Sequence, residues 1–167
     1  MPTRREFLLT GASLGLLAAL PASANPGDGD PLTRLRALET AQARLGVCFL
    51  DTATGAAIGQ RMDERFAMCS TFKLALVAAV LREADLGRLD LTEVLPYSKA
   101  DLLPWAPVTG AHLDEGALSL ARLAQAAQEL SDGTAANLLV KRMGGPAAVT
   151  AKFRDMGDSV TRLDRYE

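Results

Sequence analysis

From Phe72 to Ala84 runs an unbroken stretch of helix-favouring residues, most of them apolar, and this stretch constrains the fold more than any other. A helix apolar almost all round belongs at the centre of a domain, with the other elements packed about it. The helix is expected over about residues 70–84, with Gly87 supplying the stop. Its N-terminal end reads Met68-Cys69-Ser70-Thr71-Phe72-Lys73. Ser70 and Lys73 then lie one turn apart on one face, beside the positive end of the helix dipole. A serine hydroxyl attacks poorly until a base takes its proton, and a desolvated lysine can serve. Alone the pair says little. With 7 Ser and 4 Lys in 167 residues, chance supplies roughly 0.17 such pairs, and an N-cap Ser with an exposed Lys is the plain alternative.

The length suits one domain or part of a larger protein. Net charge is −2 and no basic run occurs, so nucleic-acid binding has no electrostatic footprint. The first 24 residues read as a targeting segment. Arg4-Arg5 precedes a mostly apolar stretch from Phe7 to Leu20, and Ala22-Ser23-Ala24 offers a cleavage site. Paired arginines followed by Phe-Leu resemble a twin-arginine export signal, which implies the twin-arginine machinery as a partner and a periplasmic or secreted destination. After its removal no window is apolar enough to span a bilayer. Removal takes two of 18 basic and one of 20 acidic side chains, moving the net charge to −3. An oxidising compartment permits a Cys48–Cys69 disulfide, although two small buried residues are the simpler expectation, for Cys48 above all.

Residues 25–30 read as a linker, with Asp30-Pro31 capping and opening a helix over about 31–43. Its stripe is Leu32, Leu35 and Leu38. A short apolar run at 45–50, the turn cluster Asp51-Thr52-Ala53-Thr54-Gly55 and a second short run predict an antiparallel hairpin. Residues 88–118 read as turns and polar stretches, and His112 as exposed and without a partner. Helices are expected over Leu118–Leu130, Thr134–Met143, and from Pro146 to Gly157. Residues 31–62 thus form a helix and hairpin, and 63–167 a helical domain.

In this order the motifs resemble a class A serine β-lactamase, from about Leu32 to Glu167. Ser70 and Lys73 give its S-x-x-K, and Ser131-Asp132-Gly133 stands where the family has S-D-N. Thr134-Ala135-Ala136-Asn137-Leu138-Leu139 and Gly144-Gly145-Pro146 match the usual continuation. Arg162-Leu163-Asp164-Arg165-Tyr166-Glu167 resembles the opening of the omega loop. The resemblance implies an α/β (α+β) fold of a helical domain plus an antiparallel sheet domain, the latter incomplete in this chain. It implies a monomer acting on a small-molecule β-lactam, without metal or cofactor. Ser70 would form the acyl-enzyme, with its own N–H in the oxyanion hole. Lys73 and Glu167 are both candidate acylation bases, and Glu167 would activate the deacylating water. Ser131 would pass a proton to the lactam nitrogen. Trp105 matches an aromatic at the cleft rim, where it would contact substrate. In the carbapenem-hydrolysing subset a Cys at position 69 bridges to a later Cys, which Cys48 does not match.

Two departures carry expectations. Gly133 lacks the amide that in the family binds substrate and contacts the catalytic Lys, which predicts weaker binding or an altered substrate profile. The family also continues past Glu167, through a K-T-G strand lining the cleft. The chain is therefore expected to be part of a longer product, and inactive by itself. A penicillin-recognising D,D-peptidase, which lacks the deacylating Glu, and a non-catalytic fragment are the alternatives.

Overall fold

A computed structural model describes residues 30–167, so the leader expected over 1–24 and nearly all of the linker lie outside the described residues. The chain divides into two compact units between Phe66 and Ala67.

In the N-terminal unit Asp30 caps α1 (Pro31–Ala37) by accepting the Leu32 N–H at 3.4 Å, and Pro31 takes the first helical position. The helix is shorter than expected. Past Leu38 the chain turns through a Thr40–Ala43 bridge, and the Glu39 carboxylate accepts the Leu45 N–H at 2.8 Å and Arg61 Nε at 2.7 Å. Those bonds take the chain out of helical geometry. Leu38 is therefore 67% exposed, and Leu32 and Leu35 are only half-buried, so the helix does not carry the buried stripe expected of it. The expected hairpin is present: β1 (Val47–Leu50) pairs antiparallel with β2 (Ala57–Gln60), Val47 opposite Gln60 and Leu50 opposite Ala57. The turn is held by Asp51, whose carboxylate accepts from Ala53 N–H at 2.9 Å and Thr54 Oγ1–H at 2.7 Å. Cys48 is exposed with a free thiol, contrary to expectation, because the two strands leave Phe49, Leu50 and Ile58 exposed as well.

Arg61, with help from the Leu45 N–H, pulls the Glu39 carboxyl from 4.5 down to about 2. The folded form is the stronger acid, so this contribution is complete above the ordinary carboxylate range and disappears as pH falls toward 2. An NMR titration should find the Glu39 carboxyl carbon unmoved between pH 7 and 4. A midpoint at the ordinary value would contradict the Arg61 pairing.

The C-terminal unit opens with a 3₁₀ turn, Cys69–Thr71, that leads into α2 (Phe72–Asp85). It continues through β3 (Val94–Pro96), β4 (Ala117–Ser119), α3 (Leu120–Leu130), α4 (Gly133–Arg142) and α5 (Pro146–Asp155). One face of α2, carrying Leu76, Val77 and Val80, is buried in a core with Leu120, Leu123, Leu139, Val149 and Phe153. The helix is not covered all round: Leu74 and Leu81 are 65% and 44% exposed. Glu83 is buried on the inner face but paired to Arg88 at 2.8 Å and to Lys152 at 3.1 Å, which ties α2 to α5.

The β3–β4 pair is absent from the sequence reading. Each strand has three residues, one of them Pro96, and they pair across a twenty-residue gap, so no local periodicity announces them. Ser119 then caps α3, accepting the Arg122 N–H at 3.3 Å, and that helix begins at Leu120 rather than Leu118. Gly145 (φ 94°) lets the chain turn directly into Pro146. Among the described residues no helix is long and apolar enough to cross a membrane.

Candidate active site

Three stretches far apart in sequence converge on one nitrogen, Lys73 Nζ. Lys73 is the second residue of α2 and is 3% exposed, so its ammonium must find partners within the protein. It has four. Ser70 Oγ lies at 3.2 Å, Ser131 Oγ at 3.2 Å, the Ser131 carbonyl oxygen at 3.1 Å and Glu167 Oε1 at 3.1 Å. An ammonium donates three protons and accepts none, whereas a neutral amine donates two and its lone pair can accept from a serine hydroxyl. A proton can move between either serine and the lysine across a single hydrogen bond. The four residues expected to form the catalytic set thus share one hub.

Each arm of the hub has a local cause. Ser70 sits in the 3₁₀ turn ahead of α2, not inside the helix as expected, and follows Cys69 at φ 47°. The Thr71 side chain and N–H both donate to the Met68 carbonyl and hold that turn. The Cys69 thiol is free and exposed. Ser131 ends α3 in the left-handed region (φ 55°, ψ 33°), which turns its carbonyl and hydroxyl toward Lys73. A non-glycine residue there costs on the order of 1 kcal/mol, so its surroundings must hold it.

Asp132 does the holding. Fully buried, its carboxylate accepts the N–H groups of Val108, Thr109 and Ala135, each at 2.9 Å, and the Thr109 hydroxyl at 3.0 Å. The loop before β4 is thereby pinned to the start of α4. Tyr97 braces the same loop, its hydroxyl donating to the Thr109 carbonyl at 2.9 Å, and burial pushes its phenol pKa up. His112 is half-buried and paired to Glu115 at 2.6 Å, contrary to the partnerless exposure expected of it; the turn from 112 to 115 brings the two together.

Trp105 is fixed at two points. Its indole N–H donates to the Leu130 carbonyl at 2.9 Å and its own carbonyl accepts the Gly133 N–H at 3.0 Å, while the side chain remains open to solvent. Gly133 is the first residue of α4. A Cβ there would lie 3.1 Å from Leu103 Cδ1, 3.4 Å from the Trp105 oxygen and 3.7 Å from Glu167 Oε2. Trp105 and Gly133 therefore border the hub without touching Lys73.

Asn137 has no assigned role in the sequence reading, yet its side chain holds Glu167. Its Oδ1 accepts the Glu167 N–H at 2.9 Å and its Nδ2 donates to the Glu167 carbonyl at 3.5 Å. The available signal was an Asn amid the apolar interior of α4, where that residue is unfavourable unless its amide is used. Asp132 shows the same gap: within a Ser-Asp-Gly turn it looks like an ordinary loop residue. Among the described residues no group of three or more His, Cys, Asp or Glu could hold a metal.

A model of the β-lactamase enzyme family matches residues 32–167. A β-lactamase of Streptomyces cellulosae is 45% identical over 99% of this chain and 57% of its own length. Beta-lactamase L2 of Stenotrophomonas maltophilia is 44% identical over 100% of this chain and 59% of its own. Among solved structures, an ancestral (GNCA) class A β-lactamase superposes with a TM-score of 0.71 at 55% identity, covering 74% of this chain and 47% of that one. The chain thus spans somewhat more than half the length of the curated relatives it matches. The match takes in every arm of the Lys73 hub, and the chain belongs to the β-lactamase enzyme family, class A.

Proposed function

We propose that this chain carries the acylation and deacylation residues of a hydrolase that opens β-lactam rings. The supporting observation is that both serine hydroxyls and the Glu167 carboxylate lie within 3.2 Å of the buried Lys73 amine. Lys73 first gives a proton to its ion-pair partner Glu167, and as Ser70 Oγ attacks the lactam carbonyl the Ser70 proton passes to the freed Lys73 amine. The C–N bond breaks as Ser131 gives its proton to the departing nitrogen; Lys73 restores the Ser131 proton and recovers its own from Glu167, which is again a carboxylate. Glu167 then takes a proton from water as the water attacks the acyl carbonyl, and Ser70 leaves with a proton returned through the hub. The exposed Trp105 ring offers an apolar contact to substrate. The leader pattern at 1–24 supports export by the twin-arginine route, with action outside the cytoplasm.

Incubation of the whole protein, extended to the length of its relatives, with benzylpenicillin tests the reading. Ring-opened product well beyond one equivalent per chain is expected, and a single equivalent that stays bound would instead indicate a D,D-peptidase. Gly133→Asn places an amide between Trp105 and Glu167 once the flexible Leu103 methyl gives by a few tenths of an ångström. KM for benzylpenicillin should fall about 2- to 10-fold, the worth of one recovered hydrogen bond. Steady-state kinetics showing the same kcat/KM in both proteins would exclude a specificity role for position 133.

A further inference from the structure

Residues 158–167 lie outside any helix or strand, so their backbone groups need other partners. The Asp158 carboxylate takes the Val160 and Thr161 N–H groups, each at 2.8 Å, and side chains of α4 and α5 supply further partners. Arg154 NH1 donates to the carbonyls of Asp158 and Thr161, at 2.6 and 2.7 Å. Thr150, half-buried on α5, pairs with both backbone groups of Leu163: its Oγ1 accepts the Leu163 N–H at 3.0 Å and donates to the Leu163 carbonyl at 3.2 Å. Four residues on, the Asn137 amide pairs with both backbone groups of Glu167 in the same sense. Each side chain does for one residue what an adjacent strand does in a sheet. Leu163, held this way, packs against the core.

We propose that Thr150 is a positioning residue for Glu167, the first rung of a two-rung side-chain ladder that sets the backbone of residues 163–167. The Asn137 rung bonds one residue of an irregular stretch, and one rung alone fixes a position along it without fixing its direction. The Thr150 rung adds a second position and fixes the direction in which the Glu167 carboxylate leaves the backbone toward Lys73. The consequence for chemistry rests on the hydrolase reading. A displacement of about 1 Å at a reacting group costs on the order of a hundredfold in rate, so loss of the rung should register in the step that uses Glu167. It should register far less in Ser70 acylation, where Glu167 only holds the Lys73 proton.

The test compares Thr150→Val, which keeps the shape and removes both bonds, with Thr150→Ser, which keeps the hydroxyl. Two readouts are followed on the whole protein, extended to the length of its relatives: rates of Ser70 adduct formation and loss with benzylpenicillin, by intact-protein mass, and amide hydrogen exchange at Leu163 and Glu167 without substrate. In Thr150→Val the adduct should form at close to the parental rate and clear tenfold or more slowly, with Glu167 amide exchange faster than in the parent. Thr150→Ser should restore both. Clearance and exchange unchanged in Thr150→Val overturn the proposal. So does equal slowing of formation and clearance, which marks a general loss of structure. A parental chain that never forms the adduct refutes the hydrolase reading instead, and exchange at Glu167 then decides the ladder: faster in Thr150→Val upholds it, unchanged overturns it.

Discussion

Glu167→Gln is expected to leave Ser70 blocked by substrate, with adduct clearance slowed about 10²- to 10⁴-fold, the usual contribution of a positioned base. The substitution keeps size and shape, and the amide oxygen can still accept from Lys73 where Glu167 Oε1 now lies at 3.1 Å. The ladder contacts involve backbone groups at 167 and should survive. What disappears is the ability to take a proton from water. Adduct formation should slow less, because Lys73 is the base in direct contact with Ser70 Oγ and Glu167 only holds the Lys73 proton. Stopped-flow acylation rates beside the mass time course separate the two steps. If formation slows as much as clearance, Glu167 is also the acylation base and Lys73 serves it.

Asp132→Ala should destabilise the C-terminal unit by about 3 kcal/mol or more. The carboxylate is fully buried and accepts three backbone N–H groups and one hydroxyl. Its removal strands Val108, Thr109 and Ala135 N–H groups away from water, each costing about 1–3 kcal/mol unless water enters. For a unit of this size the loss corresponds to a Tm lower by about 12 °C or more. Asp132→Asn keeps one acceptor and should fall between the two. Calorimetry that finds Asp132→Ala within about 1 kcal/mol of the parent would show that water already shares the site.

The helices were legible because their stops are chemical. Gly87, Gly145-Pro146 and Gly157 end or begin elements where a glycine with positive φ or a proline demands it. The motif residues Ser70, Lys73, Ser131 and Glu167 were legible because their order and spacing are rare in combination. What escaped depends on contacts remote in sequence. The β3–β4 pair joins two three-residue strands. The early end of α1 follows from Glu39 reaching Arg61. Leu74 and Leu81 read as core because hydrophobicity records what a residue tolerates, not what covers it. Asn137 and Thr150 escaped for a related reason. Their partners are backbone groups of an irregular segment, and no side-chain pattern marks a backbone acceptor.

The central claim is that Ser70, served by the Lys73 hub, is the nucleophile toward a β-lactam. Peptide mapping of the whole protein, extended to the length of its relatives and quenched during reaction with benzylpenicillin, tests it most directly. One opened penicillin attached to Ser70, rising and then falling as product accumulates, and absent in Ser70→Ala, is the expected result. Product forming without any Ser70 adduct, or an adduct on another residue that persists in Ser70→Ala, would contradict it.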